Sequence, residues 1–167
     1  MNLDAFKKIY LPLREKLYRF SLRYVKDPMA AEDIVQEVYL RVWNKRVEMA
    51  ELEKPEAYCM TMTRNLSLNY LKKRDSQHAD LDAVAMPESH DRNADDEMIA
   101  SENILRLREA IKTLTERQQL VIHLREVEEM TYDQIAELME MSLAMVKSEL
   151  FRARQHLKVK LEHYVRR

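Results

Sequence analysis

Lys147, Arg152, Arg154 and Lys158 recur at helical spacing near the end of the chain, with Ala144, Met145, Ser148 and Phe151 interleaved. Residues three, four and seven apart share one face of an α-helix, so this run makes a surface whose cations can hold phosphates. Its earlier side chains can meet base edges in a major groove. On that logic Ala144, Met145, Lys147, Ser148, Phe151 and Arg152 are candidate base or near-base residues. Arg154 and Lys158 are candidate phosphate contacts. The chemistry is recognition, and no bond need be made or broken.

The elements that would position these residues can be read just upstream. Thr131 followed by Gln134 forms a capping box, which satisfies backbone N–H groups that a first helical turn leaves unpaired. Ile135, Leu138 and Met139 then recur at helical spacing, with Ala136 small enough for a close crossing, until Ser142 offers a second N-cap. A second helix starts at Leu143 and continues an apolar stripe through Val146 and Leu150. Two short helices around a tight turn, the second running on as a basic helix, is the layout of a helix-turn-helix. A plain helical hairpin with a solvated basic face is the competing reading. The turn falls at Glu140, where glycine would reach positive φ cheaply. Glu149 is a carboxylate within the candidate reading helix; contact with cytosine, pairing with an arginine and solvation all remain open, and solvation is the expectation.

Composition bounds the rest. The chain has 167 residues, 46% hydrophobic and 34% charged, which fits one or two globular domains rather than disorder. There is no glycine at all, which favours short helix-to-helix connections over β-hairpins. The single cysteine, Cys59, excludes an internal disulfide and is expected to be a small packing residue in a reducing cytoplasm. No apolar run is long enough to span a membrane and MNLDAFKK is no signal peptide, so a cytoplasmic location without membrane insertion is expected. The histidines, His78, His90, His123, His156 and His163, show neither HExxH nor paired Glu-x-x-His spacing. No catalytic residue, metal ligand or cofactor is assigned, and an enzyme is the weaker functional class. The net charge of −1 conceals segregation: Lys72, Lys73 and Arg74 close one helix, cations line the C-terminal one, and 75–97 is predominantly acidic.

The fold class that follows is all-α, with two small helical bundles joined by an acidic linker and the helix-turn-helix in the second. Phe6, Ile9, Tyr10, Leu13, Leu17, Phe20 and Tyr24 follow helical spacing, with Pro12 a break. Asp27-Pro28 opens a helix to about Arg46, with Ile34, Val38 and Val42 on one face and Glu32, Asp33, Gln36 and Glu37 on another. Lys54-Pro55-Glu56 opens a third, expected to run to Arg74 with Tyr58, Met62, Leu66 and Tyr70 in a row. The helical period is lost over 75–97, read as a linker, and returns at Met98 with Ile99, Ile104, Leu107, Ile111 and Leu114. Thr115 and Gln118 make another capping box. The domains are therefore 1–74 and 98–167.

The succession DPMAAEDIVQEVYLRVW, KPEAYCMTMTRNLSLNYLKKR, an acidic linker and LTERQQLVIHLREVEEMTYDQIAELMEMSLAMVKSELFRARQHL resembles an extracytoplasmic-function sigma factor of the sigma-70 family over nearly the whole chain. The resemblance implies a protein that binds core RNA polymerase and directs promoter-specific initiation. It implies that Asp33, Ile34, Gln36, Glu37, Leu40 and Trp43 dock on the clamp helices of the largest subunit. The loop from Asn44 to Glu53, with Arg64, Asn65, Asn69, Lys72, Lys73 and Arg74, would recognise and open the minus 10 element. Tyr58 and Tyr70 are expected to be core rather than stacking platforms. Residues 98–167 would read the minus 35 element and hold the flap of the second-largest subunit, and the linker would thread toward the polymerase channels. An anti-sigma factor is a further candidate partner. Glu129, Glu140 and Ala144 stand where many members carry glycine, and Glu149 where many carry a cation. The main alternative is a stand-alone dimeric helix-turn-helix regulator that dimerises through 1–74.

Overall fold

The structure, a computed structural model, describes residues 1–78 and 98–165. These residues are helical throughout their ordered elements, with no β-strand among them. The chain divides into two compact units, Met1–Asp91 and Arg92–Arg167.

In the first unit, Asn2 caps α1 (Leu3–Tyr10) by accepting the Ala5 N–H at 2.9 Å. Pro12 breaks the helix as its missing N–H requires: a 3-10 turn at Leu11–Leu13 precedes α2 (Arg14–Val25). Lys26 turns the chain in the left-handed region (φ 55°), and Asp27 then caps α3 (Pro28–Asn44), accepting the Met29 N–H at 3.0 Å. This helix stops at Asn44, short of Arg46. A 3-10 turn at Glu48–Glu51 leads to α4 (Pro55–His78). Tyr10, Leu17, Phe20, Val25, Val35, Val38, Val42 and Met60 are buried among these helices.

Helix α4 departs from expectation in two ways. Its fully buried positions are Cys59, Met60, Thr63 and Ser67, whereas Tyr58, Met62, Leu66 and Tyr70 are only half-buried. A small, partly polar face can line the interior because its hydroxyls are satisfied there: Thr63 donates to the Cys59 carbonyl at 2.8 Å, and Ser21 and Ser67 share a hydrogen bond at 3.1 Å. Tyr70 packs beside the Val25, Ala30, Ala31 and Ile34 cluster and its hydroxyl reaches Asp27 at 3.5 Å, which suits a structural role. The helix also continues past Arg74, so 75–78 are helical rather than linker; no glycine or proline interrupts them, and Ser76 back-bonds to the Lys73 carbonyl at 2.8 Å. The rest of the expected linker, 79–97, lies outside the described residues.

The second unit contains α5 (Met98–Lys112), α6 (Glu116–Glu126), α7 (Tyr132–Met139) and α8 (Leu143–Val165). Ala110 and Leu114 of the α5 end are buried, but Ile104 and Leu107 are exposed and Ile111 is half-buried; the Ile99 side chain lies outside the described residues. Among the described side chains of α5 and its exit, Ala110 and Leu114 supply the fully buried core contact. Both capping boxes form, at Thr115 with Gln118 and at Thr131 with Gln134. Ser142 caps α8 by accepting the Met145 N–H at 3.2 Å. Val146, Leu150 and Ala153 form the buried stripe of α8, and Ala153 packs with Leu114 and Ile122.

Glu140 makes the turn at φ 54°, ψ 45°, and the Met141 N–H closes back on the Ala136 carbonyl at 2.9 Å, a Schellman-type helix ending. Left-handed backbone costs a side-chain-bearing residue about 1 kcal/mol. Glu140→Gly should therefore raise stability by about that amount, read as a higher urea midpoint by circular dichroism; a lower midpoint would mean that contacts of the Glu140 side chain outweigh the strain.

Cys59 is fully buried, and burial pushes its thiol from the ordinary 9.0 up to about 12, with Glu56 adding to the rise. The folded state thus favours the neutral thiol. Its contribution is complete below the unfolded value and is lost as pH climbs toward 12. Iodoacetamide, applied where an ordinary thiol is half ionised, should leave native Cys59 unmodified and alkylate it in urea; rapid modification of the native chain would contradict this burial.

Candidate nucleic-acid interface

On α8 the stripe Val146, Leu150 and Ala153 faces inward, and the candidate reading residues occupy the opposite half of the helix. Ala144, Met145, Lys147, Phe151, Arg152, Arg154 and Lys158 are exposed and Ser148 is half-buried. The structure therefore brings the whole predicted set onto one side. Phe151 is 65% exposed, too open to be a core residue. Gln155, also exposed, lies four residues beyond Phe151 and so shares its face, a placement that its spacing in the sequence indicates.

Glu149 is not solvated. Its side chain is 13% exposed; it accepts from Gln118 Nε2 at 3.2 Å and lies 4.0 Å from Arg117. Gln118 is also the capping-box residue of α6, so one amide satisfies the helix start and ties it to α8. Pairing with the nearby arginine and amide replaces the expected exposure because α6 passes beside this flank of α8.

Arg154 is exposed yet already engaged. Its Nε and Nη2 donate to the same Glu126 oxygen at 3.1 and 2.5 Å. The neighbouring Arg154 guanidinium pulls the Tyr132 phenol below its ordinary value. Arg125 stacks over the Tyr132 ring at 5.0 Å and donates to the Met130 carbonyl at 2.8 Å. Three helices therefore meet at one guanidinium, through partners that the sequence reading did not single out.

Two of the histidines make polar contacts within the second unit. His123 is buried, with Nε2 3.2 Å from Glu128 Oε1, and His156 Nε2 shares a hydrogen bond with Thr113 Oγ1 at 2.8 Å. Among the described residues no cluster of three or more His, Cys, Asp or Glu could hold a metal ion.

In the first unit, Asn65, Asn69, Lys72 and Lys73 are exposed along one side of α4. Arg64 and Arg74 are half-buried and do not join them. Arg64 hydrogen-bonds Tyr24, whose hydroxyl burial pushes its pKa up against the opposing pull of that guanidinium. The two arginines diverge from the asparagine row because successive helical residues are rotated by about 100°. In the preceding loop, Arg46 lies over the Trp43 ring at 5.1 Å and Val47 is exposed.

On α3, Asp33, Gln36 and Leu40 are exposed, and Glu37 is half-buried and paired with Arg41 at 2.6 Å. Trp43 is half-buried with its edge against Phe6 at 5.3 Å. Ile34 is a correction: only 7% exposed, it packs with Val25, Ala30 and Ala31 and belongs to the core. The inward stripe of α3 starts one turn earlier than the polar face suggested. Met29, exposed one turn before Asp33, was missed; extending the Asp33, Gln36, Leu40 spacing backward would have reached it.

Among the described residues no helix is long and apolar enough to cross a membrane. Comparison with known proteins matches Sigma-70 region 2 to residues 9–77 and Sigma-70 region 4 to residues 104–157. The chain is 27% identical over 157 residues to an RNA polymerase sigma-E factor of Streptomyces avermitilis, covering 94% of this chain and 85% of that one. It is 25% identical over 172 residues to the ECF RNA polymerase sigma-E factor of Escherichia coli K12, covering 98% and 90%. Its fold is similar to the sigma factor RpoE of Bartonella quintana, solved with the anti-sigma factor NepR, at a TM-score of 0.76 and 24% identity over 96% of this chain and 98% of that one. CnrH, solved with the cytosolic domain of CnrY, has a TM-score of 0.62 at 18% identity, covering 97% and 90%. With both regions matched in order on two helical units, the chain belongs to the sigma-70 family as an extracytoplasmic-function RNA polymerase sigma factor.

Proposed function

We propose that this sigma factor divides promoter recognition between its units: the first docks on core RNA polymerase and engages the minus 10 element, and the second reads the minus 35 element. The observation that carries the reading is α8, whose buried stripe leaves every candidate reading residue on its outer side. A helix presented this way can enter a major groove, with Ala144, Met145, Lys147, Ser148, Phe151 and Arg152 near the bases and Arg154 and Lys158 toward phosphates. Gln155 joins that face.

Asp33, Gln36, Glu37, Leu40 and Trp43, with Met29 added and Ile34 removed, form the polymerase-docking face. A central apolar side chain with a polar rim suits a protein partner. The clamp helices are its counterpart by family likeness, and the flap is that of the second unit. Asn65 and Asn69 supply polar groups for an unstacked base, and Lys72 and Lys73 supply charge for the backbone. Arg64 and Arg74 serve as flanking supports of that face. Polymerase performs the chemistry, and the sigma factor works in the cytoplasm without a cofactor. The complexes of related folds with NepR and CnrY support an anti-sigma protein as a further partner. A stand-alone dimeric regulator gains no specific support.

Purified protein added to bacterial core polymerase should co-elute with it and confer initiation on a subset of a promoter library. Failure of both, with correctly folded protein, would sink the reading. Leu40→Glu should weaken association with core by roughly tenfold or more, the scale of losing a central interface contact, while circular dichroism stays unchanged. Arg152→Ala should leave core association intact and weaken upstream-element engagement by about 1–3 kcal/mol if it contacts a base; equal loss of core binding would contradict the division of labour.

A further inference from the structure

The geometry points to Glu126 as a positioning residue that holds the Arg154 guanidinium ready for a backbone phosphate of the upstream promoter duplex. This rests on the minus 35 reading of the second unit and adds to it a residue that never need touch a base. Arg154 sits on the outer half of α8 with Lys147 and Phe151, so its head is on the side offered to DNA. Its side chain is 45% exposed even while bound to Glu126 at 2.5 and 3.1 Å. A guanidinium carries about five N–H donors. Glu126 uses the edge formed by Nε and Nη2, which leaves the rest of the fork for a phosphate oxygen.

The support is itself fixed: Glu126 is the last residue of α6. The long arginine side chain is consequently ordered in folding, and DNA binding need not restrict it again.

A positioning role and a simple charge effect predict opposite signs. By Coulomb's law alone, removing the Glu126 carboxylate would strengthen attraction to DNA. If Glu126 positions Arg154, its removal weakens binding. The test uses full-length protein assembled with bacterial core polymerase and the promoter fragment most enriched by wild-type holoenzyme from a random library, titrated across roughly 50–200 mM salt. Arg154→Ala should weaken binding and reduce the magnitude of the logarithmic salt slope by about one. Glu126→Gln should weaken it roughly two- to fivefold, the scale of an exposed ion pair, and lower the slope in the same direction. Added to Arg154→Ala, it should have no further effect.

Glu126→Asp keeps the charge and draws the carboxylate back from Arg154 by one methylene, so it decides the matter should circular dichroism show Glu126→Gln to be misfolded. It should weaken binding and lower the slope. Tighter binding by either folded variant while Arg154→Ala weakens binding overturns the positioning role and leaves the minus 35 reading standing. Unchanged affinity and slope in Arg154→Ala instead remove Arg154 from the DNA contacts, and the positioning role falls with it. Loss of initiation by wild-type holoenzyme on every fragment is the separate failure of the sigma reading.

Discussion

A chain without glycine must still turn sharply between helices, and among the described residues three take the strain: Lys26, Glu129 and Glu140, with φ of 55°, 54° and 54°. Each is followed within two positions by an N-cap, Asp27, Thr131 or Ser142. Each also sits in a set of closing backbone bonds, from Lys26 to Leu22 at 2.9 Å, Met130 to Leu124 at 3.0 Å and Met141 to Ala136 at 2.9 Å. A left-handed residue with a side chain costs about 1 kcal/mol and a good cap restores about as much. Strain and cap are therefore coupled in one short segment. The direction of each turn sets the rotation of the next helix and so decides which stripe is buried. The outer faces of α3 and α8, where the proposed contact residues lie, are the complements of those stripes.

The same geometry reconciles a net charge of −1 with the proposed nucleic-acid surface. In the second unit acidic residues are drawn into internal pairs: Glu126 with Arg154, Glu128 with His123, Glu149 with Gln118 and Arg117. Among the outer residues of α8 from Ala144 to Lys158 that carry the recognition reading, none is acidic. What a polyanion meets is local potential, and average charge is a poor guide to it. Carboxylates that orient the helices thereby stand at the flanks of the face rather than within it.

Caps, helix starts and the exposed half of α8 were legible in the sequence because each depends on spacing within one or two turns. Thr131 with Gln134 needs only a three-residue interval, and the Val146, Leu150 stripe defines its opposite side automatically. Pairings between distant residues were not legible. Nothing local links Glu126 to Arg154 or Gln118 to Glu149. The core side of α4 was misjudged because hydrophobicity points to Met62 and Leu66, whereas close approach to α2 selects Cys59, Thr63 and Ser67, whose polar atoms are satisfied inside. Ile34 was misplaced for a related reason: an apolar residue near a boundary between faces can belong to the core or to a partner, and only packing chooses.

Scattered exposed apolar side chains are ordinary on protein surfaces, so the exposure of Leu40 at 58% and Phe151 at 65% carries no message alone. Their placement does. Leu40 lies opposite the Val35, Val38, Val42 stripe of α3, and Phe151 opposite the inward stripe of α8. Neither can be buried by its own bundle, so the roughly 1.5–3 kcal/mol available from removing such a side chain from water can be realised only against a partner. One apolar centre with a polar rim gives a modest interface. Two such interfaces on one chain act together, because binding at the first raises the effective concentration of the second. Selective initiation can then arise from two weak contacts that are each insufficient without the other, a division that suits a subunit recruited with polymerase better than a regulator that must grip its site unaided.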